Sequence, residues 1–199
     1  MTEHYYTNSP SVESNRQSWV FSLKGHTLKF TVDNGVFSKK EVDFGSRVLI
    51  EAFKVAEIEG PILDVGCGYG PIGLVIAKDN PNRIVHMVDV NERAVELATI
   101  NAESNQISNV KVYMSDALSA VENNFASILT NPPIRAGKQV VHKIFEQSFD
   151  ALLPDGELWV VIQKKQGAPS AIDKLKQLFS RVDIVEKQKG YYIIRAKKS

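Results

Sequence analysis

The sequence has little that would suit an exported or membrane-spanning protein. Its 199 residues include a single cysteine, Cys67, so no intrachain disulfide can form. Neither end carries a leader-like segment or a long apolar run, and we therefore expect a cytoplasmic protein with no membrane contact. The formal net charge is only +1, which excludes a strongly basic surface and leaves any nucleic-acid contact to local clusters.

The most informative stretch is residues 62–73, where an apolar run enters a cluster of glycines and leaves into a second apolar run. This pattern predicts a buried strand, a tight turn and the start of a helix. Gly66, Gly68 and Gly70 remove side chains where the backbone bends, so a ligand can approach the N–H groups at the helix N-terminus. Cys67 lies inside this turn, where a small residue is needed, and we do not expect it to act as a nucleophile.

Two classes of ligand compete for this turn. Gly68, Gly70 and Gly73 fit the dinucleotide fingerprint G-x-G-x-x-G. Asp64 favours another ligand, because a carboxylate at the strand end would repel a pyrophosphate but could accept hydrogen bonds from an ammonium group. S-adenosylmethionine carries such a group, and residues 64–70 resemble the D/E-x-G-x-G-x-G motif of class I S-adenosylmethionine-dependent methyltransferases. The resemblance implies S-adenosylmethionine as cofactor and S-adenosylhomocysteine as its product.

The next two predicted strands also end in acidic residues. Ligands of an open α/β sheet bind outside the carboxyl ends of its strands. Asp89, followed by Val90, could accept hydrogen bonds from both ribose hydroxyls of a nucleoside, or it could instead cap the next helix. Asp116 could accept from an adenine amine while the backbone of Ala117 reads the edge of the ring. These residues are our candidates for the rest of the cofactor site.

A second informative stretch, Asn131-Pro132-Pro133-Ile134, follows the fourth predicted buried strand. Proline has a fixed φ and no N–H group, so the segment is expected to be stiff, with a Pro132 carbonyl that joins no helix. That carbonyl and the Asn131 side-chain oxygen are two candidate acceptors, which could turn the lone pair of an sp² amine toward a methyl group. A plain Pro-Pro loop is the structural alternative. We expect Asn131, which we also place in the cofactor site, and the three residues after it to form the catalytic segment.

Alternating strands and helices predict an α/β fold with a parallel sheet covered on both faces. The predicted strands cover residues 19–23, 27–32, 62–64, 84–90, 110–114, 125–130, 157–163, 182–186 and 191–196. The predicted helices cover residues 47–56, 71–78, 93–105, 138–153 and 171–179. The last two strands have hairpin spacing, which matches an antiparallel closing strand and not a second mononucleotide half. We therefore expect a Rossmann-like, mostly parallel seven-stranded sheet in residues 35–199, preceded by an arm and β hairpin in residues 1–34 that pack on it.

With both motifs in view, the chain resembles the ribosomal RNA small-subunit guanine-N2 methyltransferase family in a single-domain form. The resemblance rests on residues 35–38, 43–46, 64–70 and 131–137. It implies methyl transfer to an exocyclic amine, with RNA, ribosomal RNA or the small ribosomal subunit as partner and a monomer or weak dimer as the protein. Protein-glutamine or adenine-N6 methylation, and a non-catalytic cofactor-binding module, are the alternatives.

The substrate side of the site is less well defined by the sequence. Many amino-methyltransferases have Tyr or Phe after Asn-Pro-Pro, whereas Ile134 offers apolar contact without an aromatic face. Phe37 could supply the stacking surface for a base or could belong to the core. Arg135 and Lys138 are our candidates for contacts with RNA phosphates, with simple solvation as the alternative.

Overall fold

The computed structural model describes residues 8–37, 40–122 and 124–199. None of the helices in these ranges has both the length and the apolar character needed to cross a bilayer. Short 3₁₀ turns occupy Ile134–Ala136 and Lys164–Gln166. The strands and α-helices, in chain order, are β1 (Gln17–Leu23), β2 (His26–Val32), α1 (Phe44–Ala52), β3 (Ile62–Val65), α2 (Pro71–Asp79), β4 (Val85–Asp89), α3 (Glu92–Ser104), β5 (Val110–Met114), β6 (Phe125–Thr130), α4 (Lys138–Ala151), β7 (Leu152–Gln163), α5 (Ala168–Leu178), β8 (Arg181–Gln188) and β9 (Tyr191–Lys197).

Seven strands form the main sheet, in the order β5-β4-β3-β6-β7-β9-β8. The pairs from β5 through β7 are parallel, and β9 runs antiparallel to both β7 and β8. The chain builds β3, β4 and β5 outward and then returns to place β6 on the other side of β3. This reversal is the position at which open α/β sheets bind ligands. The predicted fold class, including the antiparallel closing strand, is confirmed.

Apolar side chains cover both faces of the sheet. One core contains Leu49 of α1, Leu74 of α2 and Leu97 of α3. The other core contains Phe145 of α4 and Leu175 of α5. Every residue of β3 and β6 is buried, as expected for central parallel strands between two helical layers.

The N-terminal hairpin of β1 and β2 packs against the glycine turn. The rings of Trp19 and Phe30 contact Tyr69, with centroids 5.9 and 5.6 Å from the Tyr69 centroid. Asn101 of α3 donates to the carbonyls of Tyr69 (2.8 Å) and Thr31 (3.0 Å), which joins hairpin, turn and helix. The hairpin prediction is confirmed, and the boundary between residues 1–34 and 35–199 stays a prediction. Residues 1–7 of the predicted arm lie outside the described residues.

Helix α1 differs from its predicted range of 47–56. It begins earlier because the Asp43 carboxylate accepts from the Ser46 N–H at 3.1 Å and caps the first turn. It ends earlier because Phe53 is extended and places its buried ring against Trp159. The Lys24 ammonium then donates to the carbonyls of Ile50 and Phe53, at 3.2 and 2.7 Å.

The start of β7 also differs from the prediction of a helix to residue 153 and a Pro-Asp-Gly loop. Helix α4 ends at Ala151, and β7 begins at once with Leu152. The Asp155 N–H donates to the Lys198 carbonyl at 2.7 Å, and the Lys198 N–H donates to Gly156 at 3.0 Å. A register shift against β6 accompanies the positive φ of 63° at Asp155. The expected loop is therefore an irregular start to a strand.

Candidate functional site

A cavity of about 420 Å³ opens at the carboxyl ends of the parallel strands, where the strand order reverses. Most of the residues predicted for the site line this cavity, namely Phe37, Gly66, Cys67, Gly68, Asp89, Val90, Ala117, Asn131, Pro132, Pro133, Ile134 and Arg135. Four other predicted residues are not part of its wall, namely Asp64, Gly70, Asp116 and Lys138.

The sheet order gives this cavity two ends. The glycine end is formed by residues that follow β3, β4 and β5: Gly66, Gly68, Asp89 and Ala117. The asparagine end is formed by residues near β6, β9 and the start of α1: Asp43, Ser46, Asn131 and Tyr191. Tyr191 reaches this edge because β9 is antiparallel to β7, which places Tyr191 opposite Gln163, the last residue of β7.

The glycines of the turn have two different structural roles. Gly66 and Gly68 have φ values of 73° and 57°, and a side chain on either would meet no atom within 4 Å. The Cβ side of both glycines therefore borders open space in which a ligand can approach the backbone, while their N–H groups donate to the Val88 carbonyl and to Asp89. At Gly70 and Gly73 an added Cβ would come within 3.0 Å of Leu74 or Met87, so these positions allow α2 to pack on β4. The third glycine of the dinucleotide fingerprint, Gly73, is thus explained by helix packing, and no bound phosphate is needed to account for it.

Asp64 lies behind the turn and not on the cavity wall. The carboxylate is fully buried, and its Oδ2 accepts from the Gly73 N–H at 2.9 Å. Its Oδ1 is also buried and receives no hydrogen bond from the described residues. Burial raises the pKa of the Asp64 carboxyl to about 7, against the opposing effect of the Gly73 hydrogen bond. The structure thus shows no direct exposure of Asp64 to a ligand, and its predicted contact with an ammonium group stays a prediction.

Asp89 is the acidic residue on the wall of the glycine end. Its Oδ2 accepts from the Gly68 N–H at 2.8 Å and its Oδ1 from the Asn91 N–H at 2.9 Å. Burial raises the pKa of this carboxyl although backbone N–H groups of Asn91, Gly68 and Val90 donate to it. The alternative role as a helix cap is taken by Asn91, whose side chain accepts from the first turn of α3. Asp89 therefore connects the end of β4 to the glycine turn, and its carboxylate lies at the cavity.

Cys67 and Asp116 differ in how they relate to the expected chemistry. Burial raises the pKa of the Cys67 thiol well above its ordinary value, and the charges of Asp89 and Asp64 act in the same direction. A neutral thiol agrees with the expectation that Cys67 is not a nucleophile.

Asp116 accepts from the Lys143 ammonium at 2.9 Å, outside the cavity wall. Its predicted contact with adenine stays a prediction, while Ser115 and Ala117 on either side of it line the cavity.

Asn131 is held at the asparagine end by two acceptors from another part of the chain. Its side-chain Nδ2 donates to Asp43 Oδ2 and to Ser46 Oγ, each at 3.0 Å. An ionised carboxylate only accepts hydrogen bonds, so Asp43 requires the amide nitrogen to point toward it. The Asn131 Oδ1 is then on the opposite side of the amide, and no described residue donates to it. Asn131 lines the cavity, and its amide is held in one orientation with an oxygen that has no donor among the described residues.

The Pro132-Pro133 segment after Asn131 forms a compact turn. The Pro132 carbonyl accepts from the Ile134 N–H at 2.8 Å, and Pro133 has φ −75° and ψ 78°, which are the angles of an inverse γ-turn. The Pro132 carbonyl accepts no helical hydrogen bond from the described residues, as expected, but it closes a γ-turn that leads into the 3₁₀ turn at Ile134–Ala136, which the sequence did not predict. A carbonyl oxygen has two lone pairs, so Pro132 retains capacity for a second donor.

Two partly exposed aromatic residues line the cavity: Phe37, which the sequence predicted, and Tyr191, which it did not. Phe37 is 49% exposed and lines the cavity, so the alternative assignment to the core is wrong, and stacking on a substrate stays a prediction. Tyr191 also lines the cavity, and its pKa is raised by burial and by the charge of Asp43. Only the antiparallel pairing of β9 brings Tyr191 to this edge, and no local sequence signal marks it.

The glycine end fits S-adenosylmethionine better than a dinucleotide. An acidic side chain, Asp89, stands on its wall, and a second one, Asp64, lies directly behind the turn. A pyrophosphate would be repelled by these groups, whereas a nucleoside with a cationic side chain would be attracted. Open space in front of Gly66 and Gly68 allows such a ligand to lie against the backbone.

Solved structures show the same architecture. The Thermus thermophilus 16S rRNA N2 G1207 methyltransferase, solved with AdoMet and guanosine, aligns with a TM-score of 0.81 at 23% identity, over 96% of this chain and 52% of that one. M. jannaschii TYW2, solved with AdoMet, aligns with a TM-score of 0.63 at 18% identity, over 94% and 88% of the two chains. The fold is that of a class I S-adenosylmethionine-dependent methyltransferase.

The chain belongs to the family described as "Methyltransferase small domain", which matches residues 27–195. It is 65% identical to the uncharacterized protein YbxB of Bacillus subtilis over the full length of both chains. It is 32% identical to the ribosomal RNA small subunit methyltransferase C of Vibrio cholerae over 92% of this chain, and it spans only 53% of that relative. S-adenosylmethionine is the cofactor of this methyltransferase.

Proposed function

We propose that this protein transfers a methyl group from S-adenosylmethionine to the N2 amine of a guanine in ribosomal RNA. The observation that carries the proposal is the fixed amide of Asn131, whose Nδ2 is bound by Asp43 and Ser46. With Nδ2 engaged in this way, the Asn131 Oδ1 would face the cavity that Asn131 lines and would accept from an exocyclic amine. The names of the Vibrio relative and of the Thermus structure support ribosomal RNA as the substrate.

The cofactor supplies a methyl group on a positively charged sulfur, so an acceptor nitrogen must present its lone pair. The lone pair of a guanine amine is delocalised into the ring. Hydrogen bonds from the amine to the Asn131 Oδ1 and to the free lone pair of Pro132 would hold both N–H bonds and turn the lone pair out of the ring plane. Such positioning of reacting atoms accounts for a large part of many enzymatic rate enhancements.

The Asp43 carboxylate also helps to position the acceptor amine, although it does not contact the substrate. It holds the Asn131 amide by the hydrogen bond to Nδ2, so the acceptor oxygen is oriented before the substrate binds. The amine gains positive charge as the new bond forms, and an oriented amide oxygen stabilises that charge at no cost of reorganisation. The alkylated nitrogen becomes acidic only then, and its proton can leave to water without a strong general base.

A guanine amine in a duplex is engaged in base pairing, so the cavity requires a base that is unpaired or flipped. Extruding a paired base costs a few kcal/mol. Of the three described aromatic residues on the cavity wall, Tyr69 is buried, whereas Phe37 and Tyr191 are the two on which an extruded base could stack. Base stacking on an aromatic side chain contributes about 1 to 3 kcal/mol, which is enough to offset much of this cost. Unpaired targets should therefore react faster than paired ones.

The proposal is tested by incubating the protein with S-adenosylmethionine labelled in its methyl group and separate pools of ribosomal RNA, small ribosomal subunits and protein. We expect label in RNA or subunits, and N2-methylguanosine after digestion to nucleosides. Label in adenine or in protein glutamine would replace the proposed substrate by one of the alternatives. No transfer to any pool by the cofactor-bound protein would favour a non-catalytic module. A ribosomal substrate implies a cytoplasmic location, and a monomer or weak dimer stays a prediction.

A further inference from the structure

Arg47 of α1 is a cation without an anionic partner among the described residues. Its guanidinium carbon lies 5.5 Å from the ring centroid of Phe21 and 5.2 Å from that of Phe44. Its Nε is buried with no hydrogen-bond acceptor, although the residue as a whole is partly exposed. Two aromatic rings thus hold a planar guanidinium in place, and no described residue accepts a hydrogen bond from it.

A second cation reaches the same ring from the other end of the chain. The Lys189 ammonium lies 4.9 Å from the Phe44 centroid. Lys189 is exposed and occupies the two-residue turn between β8 and β9, with φ 48° followed by Gly190 at φ 82°. Neither Lys189 nor Arg47 forms an ion pair with a carboxylate in the described part of the chain. Like charges on one ring repel each other, and an anion between them would remove that repulsion.

This pair of cations adjoins the asparagine end of the cavity. The Phe44 ring packs on Tyr191, with centroids 5.6 Å apart, and Tyr191 lines the cavity. Phe44 also follows Asp43 directly, and Asp43 binds the Asn131 amide. The Asp43 carboxylate accepts from Asn131 and from the Ser46 N–H, and in the described part of the chain it forms no ion pair with Arg47. An anion bound by Arg47 and Lys189 would therefore lie beside the place where the acceptor base enters.

We propose that Arg47 and Lys189, arranged on Phe44, bind backbone phosphates of the RNA strand that carries the target base. This inference rests on the proposed function and adds to it the surface on which the strand lies. A guanidinium presents its donors in a planar fork that matches phosphate oxygens, and an ammonium acts as a point charge beside it. The alternative is that both cations only pack on Phe44 and are otherwise solvated.

The salt dependence of RNA binding separates these two explanations. The probe is a short fluorescein-labelled single-stranded RNA containing guanine, titrated at several salt concentrations with the cofactor present. Each phosphate contact contributes about 0.7 to the slope of log K against log salt for a single strand. Arg47→Gln and Lys189→Asn should each reduce the slope by about 0.7, and the double variant by about 1.4. Asparagine is chosen at position 189 because it tolerates a positive φ.

Lys111→Gln is the matched control, since Lys111 is an exposed residue of β5 at the opposite edge of the sheet. Its slope, and the cofactor affinity and melting temperature of all variants, should equal those of the parent. Parental slopes in both single variants, in a protein that binds and methylates RNA, would overturn this inference and leave the proposed function intact. Transfer of label to protein alone would overturn the proposed function, and absence of RNA binding by the parent would overturn both.

Discussion

The glycine end and the asparagine end of the cavity are built in different ways. The glycine end consists of residues at or within three positions of the ends of three adjacent strands, so the position of each is set by the sheet. The asparagine end combines side chains from α1, β6 and β9, which are far apart in the chain. Asn131 and Asp43 are 88 residues apart, yet their side chains are hydrogen bonded. The comparison suggests that cofactor binding depends on backbone geometry and that transfer depends on side-chain contacts between segments.

The largest expected effect is on turnover at the asparagine end. Asn131→Ala removes the oriented acceptor and leaves Gly66, Gly68 and Asp89 untouched. Loss of one preorganised polar group typically costs about a hundredfold or more in turnover. We expect that loss in single-turnover methylation, with nearly unchanged cofactor affinity.

Asn82→Ala, in an exposed loop, is the control for this change. A folded, cofactor-saturated Asn131→Ala protein with near-parental turnover would remove Asn131 from the mechanism. Loss of stability together with loss of cofactor binding would instead assign Asn131 a structural role in the Pro-Pro segment.

The next effect is on cofactor affinity at the glycine end. Asp89→Ala removes a carboxylate that is on the cavity wall and that also accepts from the Gly68 N–H. Hydrogen bonds to charged groups contribute about 1.5 to 3 kcal/mol, and 1.4 kcal/mol corresponds to about tenfold in affinity. Calorimetry should show affinity for S-adenosylmethionine reduced tenfold or more. Asp173→Ala, on the exposed face of α5, is the control and should retain the parental affinity. Unchanged affinity in Asp89→Ala would contradict the ribose contact.

A smaller effect is expected from the side chain that orients Asn131. Asp43→Ser keeps a helix cap, because serine is among the preferred residues at that position, but it withdraws the carboxylate from Asn131. We expect kcat to fall about tenfold, since misplaced reacting groups lose rate, while cofactor affinity is retained. Asp43→Ala removes the cap as well and should additionally cost about 1 kcal/mol of stability. Equal kcat for parent and Asp43→Ser would show that the amide does not need this contact.

The sequence predicted wall residues at both ends of the cavity, but at the glycine end it also pointed to Asp64, Gly70 and Asp116, which do not line it. Gly66, Gly68 and Asp89 were found because their roles depend on neighbours in the sequence and on the strand they follow. Asp43 and Ser46 entered only as part of the resemblance over residues 43–46, and Tyr191 was not identified, because their contacts depend on the packing of α1 and β9. The γ-turn at Pro132 was not predicted for a related reason: two prolines indicate stiffness but do not specify the type of turn.

The smallest expected effect concerns the buried acid of the glycine end. Burial raises the pKa of Asp64 from 3.8 to about 7, so the folded state favours the neutral acid. Its contribution to stability is fully present below the ordinary pKa and is lost as the pH rises through about 7. Asp64→Asn should remove this loss, so thermal melts of the cofactor-free variant should show higher stability than the parent above that pH. Asp173→Asn should follow the parental profile, and a parental profile in Asp64→Asn would contradict the unpaired, buried carboxyl.

If the glycine end binds the cofactor and the asparagine end binds the acceptor base, a crystal structure with S-adenosylhomocysteine and guanosine will show this most directly. We expect the cofactor ribose against the Asp89 carboxylate, and the guanine N2 within hydrogen-bond distance of the Asn131 Oδ1. The Asn131 Nδ2 should remain bound to Asp43, with the base near Tyr191 or Phe37. An Asn131 side chain that faces away from the base, or a guanosine bound away from the asparagine end, would contradict it.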